Sequence, residues 1–167
     1  PSLGGSTLSL VDIDEKRLRM AEALVTRYCR ESKMNLKIRA FKERRDALVG
    51  AEYVICAVKI GGYGPLEKER EIAEAHGYYR GIGDRVSCYY GGIGAYHQIN
   101  FLEGLARDMH ELCPDAWLVQ TANPVFEGTN YITRHYNIKA VGVCHGHNAY
   151  KEIIEELGLE RDKVNVE

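Results

Sequence analysis

The residues with the clearest potential for chemistry stand at 144–147, where Cys144, His145 and His147 directly follow the apolar run "AVGV". A thiolate and imidazoles are side chains that bind transition metals. Structural zinc sites usually combine two pairs of such ligands, and the sequence offers no matching second pair. Two interpretations are therefore open at this point: a metal site, or a buried cysteine beside two solvated histidines.

The composition is that of a globular domain, since 45% of the 167 residues are hydrophobic, 28% are charged and the net charge is −2. The basic run "KERR" at 42–45 is short and contains an acidic residue, so we expect no nucleic-acid partner. The apolar runs have the length of strands, so we expect no membrane partner. Five scattered cysteines and no signal-peptide pattern favour a reducing cytoplasm.

Hydrophobic periodicity predicts strands that alternate with helices, which is typical of an α/β fold with a doubly wound, Rossmann-like parallel sheet. The run "YVICAV" is continuously apolar, as in strands that are buried on both faces. The range 77–94 is predicted to be a long loop rich in glycine and tyrosine. The predicted strands are Thr7–Val11, Leu36–Ala40, Tyr53–Val58, Trp117–Thr121 and Lys139–Val143, and the predicted helices are Glu15–Ser32, a helix after Pro65, Ile99–Leu112, Phe126–Tyr136 and Asn148–Leu157.

Polar side chains follow several of these strands, and ligands of such sheets bind outside the carboxyl ends of the strands. Asp12 follows the first strand, Lys59 the third, Asn123 the fourth and Cys144 the fifth. A dinucleotide fold places the acid that binds the adenosine ribose at the position of Asp12. Asp14 suits the role of N-cap for the next helix. These residues predict a cofactor site at one edge of the sheet.

One part of a dinucleotide fold is not found in the sequence. The fingerprint G-x-G-x-x-G should precede Asp12 in a strand–turn–helix unit, and only eleven residues precede it. We therefore expect residues 1–167 to form a single partial dinucleotide-binding domain that lacks its first βα unit. The ending "DKVNVE" resembles the start of another strand, and a following substrate and catalytic domain would lie outside the chain.

The segments "TANPVFEGT" (121–129) and "KAVGVCHGH" (139–147) together resemble glycoside hydrolase family 4, the NAD- and divalent-metal-dependent glycosidases. The segment "AHGYYRGI" (75–82) is similar to the α-glucosidase and α-galacturonidase branch of that family. Asn-Pro after a strand is shared with lactate and malate dehydrogenases, whereas Asn-Pro followed by Cys-His-Gly about twenty residues later is more specific.

The resemblance implies roles for four residues and leaves others open. It implies that Cys144 binds a catalytic divalent metal, usually Mn²⁺, and that Asp12 binds the adenosine ribose of NAD. Asn123 would lie near the nicotinamide and the sugar hydroxyls, and Lys59 on the loop that lines the cofactor. His145 and His147 have no assured ligand role, the second metal ligand of the family lies beyond Glu167, and the tyrosine base of the family has no counterpart here.

The chemistry that the resemblance implies is oxidation of the sugar at C3 by NAD, removal of the C2 proton and elimination at C1, instead of hydrolysis by two carboxylates. The partner would be a small-molecule α-glycoside, and we expect a homo-oligomer. The alternatives are a 2-hydroxyacid dehydrogenase of the lactate or malate type and a non-catalytic nucleotide-binding module. Several loop residues are further candidates for a sugar pocket, namely Tyr78, Tyr79, Tyr89, Tyr90, Tyr96, Arg80, Asp84 and Arg85, and the other four cysteines are interpreted as structural.

Overall fold

The computed structural model describes residues 3–62, 64–79, 95–144 and 149–165. The strands are β1 (Thr7–Val11), β2 (Lys37–Phe41), β3 (Tyr53–Cys56), β4 (Trp117–Gln120) and β5 (Lys139–Gly142). The helices are α1 (Glu15–Glu31), α2 (Arg44–Leu48), α3 (Gly64–Ala75), α4 (Tyr96–Leu112), α5 (Val125–His135) and α6 (Ala149–Glu156), and a 3₁₀ turn covers Arg161–Lys163.

All strand pairs are parallel, which confirms the predicted α/β, Rossmann-like fold. Strands β1 and β2 form one sheet, and β3, β4 and β5 form another in the order β3-β4-β5. The chain divides into two compact units, the first consisting of residues 1–52 and 108–114 and the second of residues 53–107 and 115–167. The two sheets belong to different units.

In the first unit, helix α1 begins at the predicted cap. The Oδ1 atom of Asp14 accepts hydrogen bonds from the backbone N–H groups of Lys16 and Arg17, at 2.9 and 3.1 Å. Such a cap satisfies amides that have no partner within the helix. The helical spacing of Leu18, Leu24 and Tyr28 in the sequence predicts one apolar face of α1. This face is only partly covered, because Leu18 is buried whereas Leu24 and Tyr28 are exposed.

Helix α2 also belongs to the first unit, and sequence periodicity did not predict it. Its two arginines are held by acids on the last turns of α4. The Nε atom of Arg44 donates to Oδ2 of Asp108 at 2.6 Å, and the Nη2 atom of Arg45 donates to Oε1 of Glu111 at 2.6 Å. Ion pairs with residues more than sixty positions away therefore stabilise this five-residue helix.

In the second unit, helix α5 packs on the face of the sheet that carries Cys56, Gln120 and Gly142. Glycines allow this close packing. A Cβ atom added at Gly142 would lie 3.0 Å from Cγ1 of Val125, and one added at Gly128 would lie 2.6 Å from Cδ1 of Leu102. The helical spacing of Leu102, Leu105, Ala106 and Met109 in the sequence predicts one buried face of α4, and all four are buried.

The opposite face of the β3-β4-β5 sheet is apolar and exposed in the structure. Tyr53 and Ile55 are each 69% exposed, and Trp117 and Val141 are 44% and 43% exposed. The register places Tyr53 beside Trp117, and Val119 between Ile55 and Val141. The prediction that "YVICAV" is buried on both faces was therefore wrong for the part of the chain that the structure describes. An apolar run shows that a strand is suited to burial, but it does not show which segment covers the strand.

The remaining elements agree with the sequence predictions to within a few residues, except at the end of the chain. There, "DKVNVE" was predicted to begin a strand, but Arg161–Lys163 form a 3₁₀ turn, and Val164 and Asn165 are not in a strand. Hydrogen bonds from Lys163 N to Glu160 O and from Val164 N to Arg161 O close this turn. Among the helices described, none is long and apolar enough to cross a membrane.

Candidate functional site

Three of the four predicted site residues follow neighbouring strands at one edge of the β3-β4-β5 sheet. The last residues of these strands, Cys56, Gln120 and Gly142, are in register with one another. Because the strands are parallel, the loops that follow them leave the sheet at the same edge. Lys59, Asn123 and Cys144 lie in these three loops, and all belong to the second unit.

Hydrogen bonds fasten the three loops to one another where they leave the sheet. The backbone N–H and the Oγ1 hydroxyl of Thr121 both donate to the carbonyl oxygen of Cys56, each at 2.9 Å. The backbone N–H of Val143 donates to the carbonyl oxygen of Gln120 at 2.9 Å. The parallel ladder thus continues one residue past the strands and fixes the starting points of the loops.

The loop after β3 is held by Gln98, a buried side chain on the first turn of α4. Its Nε2 atom donates to the carbonyl oxygen of Val58 at 2.8 Å, and its Oε1 atom accepts from the backbone N–H of Ile60 at 3.0 Å. Lys59 lies between these two residues and is exposed. Gly61 and Gly62 follow with φ angles of 78° and 68°, a backbone conformation that residues other than glycine rarely adopt.

The loop after β4 is held by a second buried glutamine. The Nε2 atom of Gln120 donates to the carbonyl oxygen of Ala122 at 2.8 Å, and Gln120 is fully buried. Asn123 follows as an exposed residue, joined to Pro124 by a cis peptide bond, and α5 begins at the next residue. Asn123 is thus exposed at the carboxyl edge of the sheet, and its carboxamide can both donate and accept hydrogen bonds there.

Sequence analysis did not single out Gln98 or Gln120, because neither belongs to a known motif. A signal was nevertheless present for Gln98. It precedes Leu102, Leu105 and Met109 at the spacing of one helical face, so a polar residue occupies an apolar stripe. A buried amide is costly unless it is hydrogen-bonded, so such a residue points to a specific backbone partner.

Asp12 lies in the first unit, directly after β1, and is partly exposed. Its Oδ1 atom accepts a hydrogen bond from the backbone N–H of Asp14 at 2.8 Å. Asp14 has the capping role predicted for it. Hydrogen bonds from the backbone N–H groups of Arg17 and Lys16, with the charge of Arg17, hold the pKa of Asp14 below its ordinary value, although desolvation acts to raise it.

The acceptor oxygens of Asp12 fit the hydroxyls of a ribose, because the hydrogen bond found within the described ranges uses Oδ1 and leaves Oδ2 as an acceptor. The glycine pair after Lys59 also fits a cofactor that approaches the backbone closely. An atom added at the Cβ position of Gly62 would meet nothing within 4 Å. The other part of a dinucleotide site, the glycine-rich turn that holds the pyrophosphate, was already missing from the sequence.

Cys144 is a free, exposed cysteine, two residues after the end of β5. The described residues contain no group of three or more histidine, cysteine or acidic side chains that could hold a metal ion. One thiol does not hold a divalent ion by itself, so the described residues do not form a complete metal site around Cys144. His145 and His147 lie outside the described residues.

The remaining candidates divide into those that the structure describes and those that it does not. Tyr78, Tyr79 and Tyr96 are exposed, as a binding surface would require. Cys29, Cys56 and Cys113 are buried, in agreement with a structural role. Predictions for Arg80, Asp84, Arg85, Cys88, Tyr89 and Tyr90 concern residues outside the described ranges.

Comparison with known proteins decides the family. The sequence profile described as "Family 4 glycosyl hydrolase" matches residues 1–160. The chain belongs to this family. An alpha-galactosidase of Bacillus subtilis (strain 168) is 34% identical over 98% of the chain, and the chain spans 38% of the length of that relative. The family predicted from the sequence is therefore confirmed.

Solved structures of family 4 enzymes have the same fold. A presumed glucosidase of Bacillus subtilis matches 96% of the chain, which spans 38% of that protein, with a TM-score of 0.80 and 23% identity. The 6-phospho-beta glucosidase of Thermotoga maritima was solved with manganese, NAD⁺ and glucose-6-phosphate. It matches 93% of the chain, and the chain spans 37% of that protein, with a TM-score of 0.75 and 21% identity. At these identities, the likeness is one of fold.

Proposed function

We propose that this chain forms part of an NAD- and divalent-metal-dependent glycosidase that acts on α-glycosides, such as an α-glucoside or an α-galacturonide. The observation that carries the proposal is the arrangement of Lys59, Asn123 and Cys144 in three loops at one sheet edge. Membership of family 4 and the bound NAD⁺ and manganese in the Thermotoga maritima enzyme support it. The similarity to an alpha-galactosidase supports an α-linked substrate.

In this proposal, Asp12, Lys59 and Asn123 form the part of the NAD site that this chain provides. The Asp12 carboxylate accepts hydrogen bonds from the hydroxyls of the adenosine ribose, and the loop that carries Lys59 lines the cofactor. The open Oδ2 atom of Asp12 and the positive φ angles of Gly61 and Gly62 support these roles. We also expect a cytoplasmic homo-oligomer.

Asn123 binds both the cofactor and the sugar in this proposal. A carboxamide has two N–H donors and one carbonyl acceptor, so it can contact a sugar hydroxyl and the amide of nicotinamide at the same time. Its exposure at the end of β4, next to an alanine whose carbonyl is held by Gln120, supports this role.

Cys144 provides one ligand to the metal in this proposal, and the other ligands come from outside the described residues. When bound, NAD would accept the hydride from the sugar C3, and the divalent metal would act as a Lewis acid toward the charge that develops after the C2 proton leaves. Such chemistry does not need the pair of carboxylates used by most glycosidases. We assign the catalytic base to no residue of this chain.

The test uses the whole natural protein that carries these residues, supplied with NAD, Mn²⁺ and nitrophenyl α-glucoside, α-galactoside or α-galacturonide. We expect nitrophenol release that requires both NAD and Mn²⁺. In D₂O, the released sugar should carry deuterium at C2, because the proposed route removes that proton. Cleavage without either cofactor, or without label at C2, would contradict the proposal.

Two other results would identify the alternative functions. Oxidation of lactate or malate without glycoside cleavage would favour a 2-hydroxyacid dehydrogenase, with which the Asn123-Pro124 dipeptide is also compatible. Binding of NAD without turnover of either substrate class would favour a nucleotide-binding module.

The role of Cys144 has its own test in the same protein. Cys144→Ser should lose turnover and bound Mn²⁺, because a hydroxyl is a much weaker ligand than a thiolate. Val143→Thr, a change of similar size at the exposed neighbouring residue, should keep both. Wild-type metal content and turnover in Cys144→Ser would show that this cysteine does not bind the metal.

A further inference from the structure

Two polar side chains, Gln98 and Gln120, are buried in the part of the chain that the structure describes, with 5% and 0% exposure. Each donates from its amide nitrogen to the backbone of a loop that follows a strand of the β3-β4-β5 sheet. Burial of an amide costs free energy unless its hydrogen bonds are made. The amide of Gln98 therefore depends on the geometry of the sheet edge where the candidate site lies, and so does Nε2 of Gln120, whose buried Oε1 has no hydrogen-bond partner among the described residues.

Gln98 makes the more specific of the two contacts. Its amide donates to the carbonyl of Val58 and accepts from the N–H of Ile60, so it bonds to the backbone on both sides of Lys59. A primary amide is suited to this because it presents one donor and one acceptor side by side. A carboxylate lacks the donor, and a thioether has no N–H and only a weak acceptor.

The loop after β3 needs such support because of the two glycines that follow. Gly61 and Gly62 have φ angles of 78° and 68°, and glycine gives an unfolded or mobile loop more conformational freedom than other residues do. Helix α4, which carries Gln98, is itself anchored in the core, since Leu102 and Leu105 on its next turns are buried. A loop that is held before its ligand arrives loses less entropy on binding.

We propose that Gln98 is a positioning residue for NAD, which holds the backbone on both sides of Lys59 and thereby sets the affinity for the cofactor. The inference rests on the proposed function, in which the loop of Lys59 lines the cofactor. Gln98 itself acts through the loop and is not assigned a contact with NAD. It follows that the hydrogen-bonding pattern at position 98, and not only the volume of the side chain, controls NAD binding.

The experiment compares Gln98→Met and Gln98→Glu with the wild type in the whole natural protein. Asn100→Met and Asn100→Glu are the matched controls, because Asn100 is exposed in the same part of α4. The first measurement is the amide hydrogen exchange of Ile60 without cofactor, which should become faster in Gln98→Met. The second is the dissociation constant of NAD by calorimetry, which should rise about tenfold in Gln98→Met and stay near wild type in the controls.

Gln98→Glu separates positioning from packing, because its hydrogen-bonding pattern changes with pH while its shape does not. Near pH 8 the carboxylate faces the carbonyl oxygen of Val58 without a donor, and NAD should bind about tenfold more weakly than in the wild type. Near pH 5.5 burial favours the protonated acid, which regains the donor, and the ratio to the wild type should fall toward one. The dissociation constant of the wild type is measured at each pH as the reference, so effects of pH that are common to both proteins cancel in the ratio.

Several results would overturn the proposal. Wild-type NAD affinity in Gln98→Met, together with faster exchange at Ile60, would show that the loop can loosen without effect on the cofactor. If Gln98→Met does not fold, the decision rests on Gln98→Glu. Gln98 has a merely structural role if the ratio of NAD dissociation constants between this variant and the wild type does not change with pH. The same conclusion follows if Gln98→Glu folds at neither pH. A wild-type protein that binds no NAD would instead refute the proposed function beneath it.

Discussion

Gly128 lies directly against the amide of Gln120, so that a Cβ atom added at position 128 would lie 3.1 Å from Nε2 of Gln120 and 2.6 Å from Cδ1 of Leu102. The same Nε2 atom donates to the carbonyl of Ala122, the residue before Asn123. The close packing of α5 on the sheet is therefore linked to the loop that carries a predicted site residue.

The first prediction is that Gly128→Ala destabilises the protein. Leu102 and Gln120 are both fully buried and have little room to move, so the free energy of unfolding should fall by about 1–3 kcal/mol. Gly64→Ala is the control, because an added Cβ there meets nothing within 4 Å. It should leave the free energy of unfolding unchanged or raise it by up to about 1 kcal/mol, as helix propensity predicts. Urea titration measures both, and equal effects would show that packing at Gly128 is looser than described.

The second prediction distinguishes the two acids after β1. Asp12→Asn should weaken NAD binding about tenfold, because the neutral amide loses charge-assisted hydrogen bonds to the ribose. Its folding should be little affected, since the amide oxygen can still accept from the N–H of Asp14. Asp14→Asn is the matched control and should keep NAD affinity, because asparagine is also a good N-cap. Calorimetry with NAD on the whole natural protein would reveal the opposite order if the roles were reversed.

Much of the fold could be predicted from the sequence because it is encoded locally. Thr7–Val11 was predicted with its observed bounds, and the helical period of α4 identified its buried face. The five-residue helix α2 was missed because it is too short to show a period. The acids that hold Arg44 and Arg45 are distant in the sequence, so no local window contains them.

The candidate site was predictable to a smaller extent. The order of strands and helices predicted that Lys59, Asn123 and Cys144 follow strands at one edge of the sheet. The structure adds that these three strands are neighbours, in the order β3-β4-β5. The supports of these loops, Gln98 and Gln120, depend on which backbone groups lie within hydrogen-bonding distance. The contacts of Gln98 join residues 38 and 40 positions apart, whereas Gln120 bonds to a residue two positions along the chain. Both depend on how the side chains pack, which composition and periodicity do not specify.

The third prediction concerns the ion pairs of Asp108 and pH. Partial burial acts to raise the pKa of Asp108, but hydrogen bonds from Arg44 and Arg45, with their charges, hold it below its ordinary value of 3.8. The stabilising contribution is therefore fully present above pH 3.8 and is lost as the pH falls through the lower pKa of the folded state. Asp108→Asn should cost about 1–2 kcal/mol of unfolding free energy near pH 7, after allowance for the exposure of the arginines.

The difference in unfolding free energy between Asp108→Asn and the wild type should shrink as the pH falls below 3.8, the ordinary pKa of an aspartate. Glu111→Gln is the control. Its carboxylate is much more exposed than that of Asp108, at 63% against 13%, so its loss should have a smaller effect at neutral pH. Urea titrations over a pH series give both differences. A difference for Asp108→Asn that stays constant down to the lowest pH would contradict the assigned ion pairs.

The last prediction concerns the exposed face of the β3-β4-β5 sheet in residues 1–167 expressed alone. Tyr53, Ile55, Trp117 and Val141 form a contiguous apolar surface there, and β3 and β5 each pair on one side only within the described residues. Exposed apolar patches and open strand edges both promote association between chains. We therefore expect these residues alone to form oligomers or aggregates, which light scattering at increasing protein concentration would detect.

Two lysine variants of this segment test whether the sheet face causes the association. Ile55→Lys places a charge within the apolar surface, on its edge strand β3, and should shift the protein toward the monomer. Leu157→Lys is the control, because Leu157 is similarly exposed, at 66% against 69%, but lies just after α6 and outside that surface. An equal reduction by both variants would indicate a general effect of charge. A monodisperse wild-type monomer would show that other residues of the segment cover this face of the sheet. The prediction that the strand "YVICAV" is buried on both faces would then hold.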